Sequence, residues 1–589
     1  MAEGEGSPST STSTSTSPSP STSTSTSPST RLWSRLWSRL RPAAQTPSAP
    51  PSTPLTVFVL LGVVFVYVFV ISAWVVDDAY ITFRSVDNFV RGEGLTWNVG
   101  ERVQVYTHPL WMFLMSIVYY LTDELFFTCL AISLALGLLL LWWCRRALRD
   151  YPWWAFPLLF ALLMASKAFM DFVSSGLENP LSHLLIALFY TAFLTRPTSW
   201  ADATPRELVR MTVLAALAFV TRQDTLLMYL PAVGYLLVLH VRRLRWRTLR
   251  LAALGLSPAI AWLGFSLFYY GSPYPNTAYA KALTTGVSRS QYLKQGSVYL
   301  MNSLQWDPPT LIVIILAVAL AIASRARTAV VTAGGIALYI LYITVIGASG
   351  SNMSGRFLTP VYLMAALLLV HVIARVQPDQ RAQLAIAALT GFFILFAPAS
   401  PLKGSYTALG KNGTGKSFII DTRFLATREG AAPSQFARST KPPNHAWYRA
   451  GLAFHDKPAT VQVGGANGVG AMGYFGFAVG PRKYVIDPLG LCDPLLSRIP
   501  MKFPRLWNPG HFPRELPPGY KRSLEQGKNL IEDPDLHTYY DKVRIITRGP
   551  LLSWTRIKTI VAMNLGAYDG LVDSYIKRVR DKAKPIKVP

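Results

Sequence analysis

Apolar stretches close to membrane-spanning length follow one another from residue 55 to residue 398. A hydrocarbon layer of about 30 Å takes about 20 helical residues. The predicted spans are 55–76, 124–143, 153–171, 181–196, 208–221, 226–240, 249–270, 309–323, 328–347, 357–375 and 382–398. A chain built this way is expected to be a polytopic α-helical membrane protein with about 11 TM helices, its transmembrane domain running over 43–399. Ahead of it, residues 1–30 are Ser/Thr/Pro repeats with almost no apolar content, the composition of a disordered tail. RLWSRLWSRLRP, at 31–42, is basic and aromatic and is expected to lie on the membrane surface. The run 55–76 has no small-residue cleavage site before Asp77, so it reads as an uncleaved first span.

Basic loops set the orientation. The arginines at 31–41, 145–149, 206–210, 242–250, 325–327 and 375–381 all fall on the cytoplasmic side if the short apolar piece THPLWMFLMSIVYYL does not cross fully. The net charge of +26 would suggest nucleic acid in a soluble chain, but here much of it serves topology, and no nucleic-acid partner is expected. The remaining positive charge suits anionic lipid, phosphate or acidic glycan. The three cysteines, Cys129, Cys144 and Cys492, have neither a disulfide framework nor metal-type spacing. Residues 400–589 then lie outside, long enough for their own core, and their short β-branched runs predict a C-terminal extracytoplasmic mixed α/β domain.

With that orientation the polar clusters gather on one side. The first external loop, 77–123, opens with Asp77 and Asp78 directly after a span, where a carboxylate is costly unless it is used or reaches water. Such a pair can act as base on a sugar hydroxyl, steady an oxocarbenium ion, hold a cation, or simply cap the helix that follows. Adjacent helical residues point about 100° apart, so one can cap while the other reacts. Arg84, Arg102, His108, Arg222, Lys281 and Arg356 all fall at external span ends. Singly each suits a snorkelling role; together they suit a phosphate, with Arg222 and Lys281 foremost. Trp97, Tyr106, His108 and Trp111 are candidates to line a sugar and lipid-head pocket. SSGLENP, TRQD, SPYPNTAYAK and SNMSGRF add Glu178, Asp224, Asn276 and Asn352 as substrate-binding candidates. GKNGTGKS at 410–417 matches the phosphate-cradling loop formally, but no apolar strand precedes it and it lies outside, away from ATP. GGANGVGAMG at 464–473 reads as a turn and not as a dinucleotide fingerprint.

The blocks DDAYITFRSVDNFVRGEGLTWNVGERVQVYTHPLW, SSGLENP, TRQD, SPYPNTAYAKAL, GRFLTP, YVIDPLGLCDPL and GHFPRELPPGY occur in this order from 77 to 520. As a set this resembles the membrane arabinofuranosyltransferases of the GT-C architecture. The resemblance implies a polyprenyl-phosphoryl arabinofuranose donor of the decaprenyl type, a cell-envelope glycan acceptor such as arabinan, and catalytic acid at Asp77 and Asp78. It also implies a bacterial inner-membrane enzyme with its active site outside, whose lipid-phosphate sugar is a substrate; no cofactor or metal is required, although a divalent cation stays open. The chain departs from the family where Asn352 stands in place of the usual acid and Gln104 in place of the common Glu. Two further readings stand beside the transferase: a lipid-linked sugar transporter or flippase, and a membrane accessory protein without chemistry. The same transfer onto a protein or pilin acceptor is a variant of the first. A transporter would carry acids and bases deep within its spans, and only Lys167 and Asp171, near a span end, hint at that.

Overall fold

The computed structural model describes residues 52–283, 285–347, 353–397, 400–403, 419–428, 443–458, 460–464, 472–501 and 510–582, all within one compact unit, Gln45–Pro589. Asn352, the GKNGTGKS loop and most of GGANGVGAMG lie outside the described residues.

The helices follow the apolar runs. They are α1 (Leu55–Ser72), α2 (Asp77–Val90), α3 (Pro109–Thr122), α4 (Phe126–Ala147), α5 (Ala155–Ala165), α6 (Lys167–Val173), α7 (Asn179–Thr195) and α8 (Pro205–Thr221). Next come α9 (Leu226–Leu244), α10 (Trp246–Tyr270), α11 (Arg289–Trp306), α12 (Pro308–Ser324), α13 (Arg327–Val345), α14 (Leu358–Val376) and α15 (Gln380–Phe396). Local chemistry marks the ends. Thr204 and Glu207 form a reciprocal capping box behind Pro205, and Gly271 stops α10 in the left-handed conformation. Arg145 and Arg146 sit in the last turn of α4, where cations complement the helix dipole.

Six described helices are long and apolar enough to cross a membrane, or up to eight if each of two bent pairs counts as one span. Each of the eleven predicted runs coincides with helix, yet several helices are short, and 153–171 is not one rod. It breaks at Ser166 into α5 and α6, bent by 86°. The other bend, 109°, lies between α11 and α12 at Asp307. The two breaks are fastened to each other, because the Asp307 carboxylate accepts from the Lys167 and Ala168 amides, both at 3.0 Å, and from the Ser166 and Thr310 hydroxyls. This placement accounts for Lys167 and Asp171. They pair with one another, and Asp421 and Arg423 complete a buried, mutually neutralising group.

At the centre stands α14, buried over most of its circumference and packed on α7, α12 and α13. By contrast α1, more apolar still, leaves Leu55, Leu60, Val63 and Tyr67 exposed, as a lipid-facing helix does.

Past residue 400 come α16 (Thr422–Arg428), α17 (Ala446–His455), β1 (Val461–Val463), α18 (Tyr474–Val479), β2 (Tyr484–Ile486), α19 (Tyr520–Gln526), α20 (Pro534–Arg548), α21 (Trp554–Asn564) and α22 (Asp569–Lys582). The expected sheet is, among the described residues, one parallel pair of three-residue strands, Val461 opposite Tyr484. A small second core of Ile486, Leu495, Tyr520, Leu536 and Tyr540 forms beneath it. Elsewhere these segments join the main core through Met472, Tyr474, Phe475 and Val485.

Candidate active site

Helix α2 starts abruptly at Asp77, and its first turn presents the two carboxylates in different directions. Asp77 turns towards α18, accepting from the Tyr474 amide at 2.7 Å and the Gly473 amide at 3.2 Å. It thereby caps α18, not the helix that carries it. Burial is the main cause that lifts its pKa to about 7, with Asp78 adding to it and the two amides opposing. A Cβ on Gly473 would lie 1.6 Å from the Asp77 carbonyl oxygen, so only glycine permits this approach. Asp78 points the other way, into a cavity of about 260 Å³, with about a third of its side chain open to solvent (35%).

The cavity is walled by α2, the segment 105–108, the α7 approach at Leu177, the 222–224 turn, the 275–281 segment and the Arg356–Phe357 turn. Of the residues singled out from the sequence, Asp78, Tyr106, His108, Arg222, Asp224, Lys281 and Arg356 line it. Glu178 lies fully buried behind that wall and gathers its cations. It accepts from Arg222 at 2.9 Å, from Arg356 at 3.3 Å and faces His108 Nδ1 at 3.1 Å. Burial alone would raise its pKa, but Arg356, His108 and Arg222 outweigh that and hold it well below the usual carboxylate range. Since an ionised carboxylate only accepts, Nδ1 of His108 carries the proton, while Nε2 meets the Thr82 hydroxyl at 2.8 Å.

Arg222 is further braced by a two-pronged bond to Asp224, at 2.7 and 3.0 Å, and lies 4.4 Å from the centre of the Phe357 ring. Arg356 reaches Asp78 at 3.9 Å across the cavity. Lys281 stands in a single π-helical turn, Tyr279–Leu283, and burial, then Arg356 and Arg222, lower its pKa against the pull of Asp78. Two arginines, a lysine and a histidine thus face Asp78, with the buried or paired acids Glu178 and Asp224 holding the arginines in place. Such a wall is pre-set to receive negative charge without reorganising.

The other sequence candidates stand outside the cavity and join elements together. Arg84 is buried and donates to the carbonyls of Trp97, Gly476 and Lys483, lying 4.5 Å over the Trp97 ring. Burial lowers its pKa to about 10. Trp97 packs under Gly476, and Trp111 donates to the Gly176 carbonyl at 3.2 Å. Asn276 donates to the carbonyls of Gly490, Leu491 and Asp493 and accepts from Ser497, tying SPYPNTAYAK to YVIDPLGLCDPL. Arg102 grips the end of α20 at Ile546 and Gly549. Sequence reasoning passed over Thr82, Thr107, Tyr342 and Leu491, which also line the cavity. Thr82 is one turn beyond Asp78 on α2, a spacing that could have found it; nothing local marks Tyr342. Among the described residues no group of His, Cys, Asp and Glu is arranged to hold a metal ion.

A membrane-type helical bundle with an acid facing a basic wall is the architecture this chain presents, and its sequence is similar to arabinofuranosyltransferases. It is 27% identical over 244 residues to the terminal β-(1→2)-arabinofuranosyltransferase of Mycobacterium tuberculosis, covering 39% of this chain and 37% of that protein. Against the enzyme of the same description from Corynebacterium glutamicum it is 32% identical over 242 residues, 36% of this chain and 34% of that one. The chain thus spans little more than a third of the length of the curated relatives it matches. No family model matches it. A solved structure of ArnT from Cupriavidus metallidurans bound to undecaprenyl phosphate aligns with 74% of this chain and 89% of its own, at 14% identity and a TM-score of 0.44, too slight a likeness to carry an argument.

Proposed function

We propose that this chain is a glycosyltransferase of GT-C type that moves arabinofuranose from a polyprenyl-phosphate donor to a cell-envelope glycan such as arabinan. The observation that carries the reading is the partly open carboxylate of Asp78 opposite Arg222, Lys281 and Arg356 in one cavity. The relatives' names supply the sugar; the cationic wall supports the phosphate. In the transfer, Asp78 takes the proton of the acceptor hydroxyl as its oxygen bonds to the anomeric carbon. The bond from that carbon to the phosphate oxygen breaks, and the electron pair leaves with the phosphate, whose charge the two guanidinium groups and Lys281 receive. Lipid phosphate is then both anchor and leaving group, so the reading needs neither nucleotide nor cofactor. We assign the cavity to the outer side of a bacterial inner membrane, with eleven crossings, from the distribution of basic loops.

The test uses the purified full chain, a synthetic polyprenyl-phosphoryl arabinofuranose and an arabinan acceptor, read as transferred sugar. Asp78→Asn is expected to lose at least about 100-fold in rate, the scale of general-base catalysis. Full activity in that variant would remove Asp78 from the chemistry.

A further inference from the structure

Helices α7 and α8 run antiparallel, and both have one end at the cavity, α7 starting beside Glu178 and α8 ending at Arg222. Their other ends lie roughly 25 Å away, the length of a 17-residue helix. There they meet the end of α4 around a second cleft, of about 390 Å³. Four arginines line it, Arg146 and Arg149 from α4 and its following turn, Arg196 after α7, and Arg210 from α8, with the indoles of Trp143 and Trp200 as walls.

Two acids also line the cleft, and both are engaged. Glu207 pairs with Arg196, which also stacks 4.8 Å over Trp200. Asp150 sits 3.5 Å from its neighbour Arg149. Arg146 and Arg210 are exposed and have no carboxylate at ion-pairing distance among the described residues. Topology requires only that positive charge accumulate at such ends; it does not require guanidinium groups from three helices to converge on one concavity walled by indoles. Nearby Trp142 and Trp153 are exposed, as aromatic residues are at the headgroup level of a bilayer.

We infer that this cleft binds a phosphate group, that of an anionic phospholipid headgroup, at the end of the bundle opposite the Asp78 cavity. Arg146 and Arg210 offer their planar forks to the phosphate oxygens, while Trp143 and Trp200 pack on the glycerol backbone. The site does not depend on the transfer chemistry, so either reading can fail alone.

Native mass spectrometry of the full chain in neutral detergent, with phosphatidylglycerol or phosphatidylcholine added, reads occupancy directly. Retention of phosphatidylglycerol over phosphatidylcholine is expected, weakened roughly tenfold or more in Arg146→Gln/Arg210→Gln. Arg327→Gln/Arg381→Gln, on other loops, is expected to retain lipid as the unaltered chain does. Equal retention in the cleft variant, or equal loss in both double variants, would overturn the site in favour of diffuse surface charge. Should the double variant melt early, Arg210→Glu alone separates the same two outcomes. A rise in melting temperature with inorganic phosphate, absent in the cleft variant, upholds the same chemistry with free phosphate as occupant; a rise with phosphatidylglycerol only assigns the headgroup.

Discussion

Glu178 is the residue on which the cavity's charge depends, although it never faces the open space. Its carboxylate meets two guanidinium groups and the His108 imidazole within 3.3 Å while being fully buried, so removing its charge leaves Arg222 and Arg356 short of a counter-ion and His108 short of its acceptor. Loss of one partner from a buried ionic group costs about 3–5 kcal/mol. Glu178→Gln is therefore expected to lower the melting temperature markedly and to raise the KM for a phosphate-linked donor, because the two arginines lose their fixed aim. A thermal melt and a donor titration check this; an unchanged melt would mean that Asp224 alone suffices to hold Arg222. The acid SSGLENP contributes was legible in the sequence as a candidate, but its role was not. Only the fold shows that it lies behind the wall and binds the wall's own cations. The same holds for Asp77 and Asp78: helical spacing tells that they diverge, while the partner of each, Tyr474 for the first and Arg356 across the cavity for the second, is remote in sequence.

At the scale of the element, α2 is held from both sides, by the cavity wall at Asp78 and by the α18 amides at Asp77. The second attachment is sensitive to pH. Because the folded pKa of Asp77, about 7, exceeds the ordinary value of 3.8, the folded chain holds this proton more tightly than the unfolded one. Its contribution to stability is hence greatest in acid and is lost as pH rises from about 4 to 7, by at most about 4 kcal/mol and less as water screens its half-buried edge. Asp493, raised to about 7 chiefly by burial and then by Glu101, shares that window. In Asp77→Asn the fall of melting temperature between pH 4 and 7 should shrink without vanishing, which a series of melts at fixed ionic strength would read. Helices were the legible part of this fold, since each apolar run has one. What periodicity could not show was the break at Ser166, where a run of apolar residues on both sides conceals a bend that Asp307, 141 residues later, stabilises. The sheet expected past residue 400 is, among the described residues, one short pair for a related reason. ATVQV and RKYVI have strand-like composition, but α18, which lies between them in the chain, is a helix packed on α2 and adds no strand.

Across the whole molecule, the segments beyond residue 400 act as a clamp on the first loop. Asn98 exchanges bonds with Val485, Arg84 grips Gly476 and Lys483, Glu101 accepts from Arg548 and Tyr484, and the Arg102 amide donates to Thr547. The polar and aromatic side chains of the WNVGER turn fasten it to these segments. A loop of this length has no hydrogen-bonded ladder of its own, and its backbone order must come from such partners. Breaking the clamp should therefore free the loop while leaving the bundle intact, because α14 takes its packing chiefly from α7, α12 and α13. In Asn98→Ala/Arg548→Ala, amides over 94–106 are expected to exchange at least about 100-fold faster while those of α14 stay protected, since local opening draws only on the contacts removed. If hydrogen exchange instead rises equally in both places, loop and bundle unfold as one unit. If it rises in neither, the Arg84 bonds alone are enough to hold Tyr106 and His108 at the cavity wall.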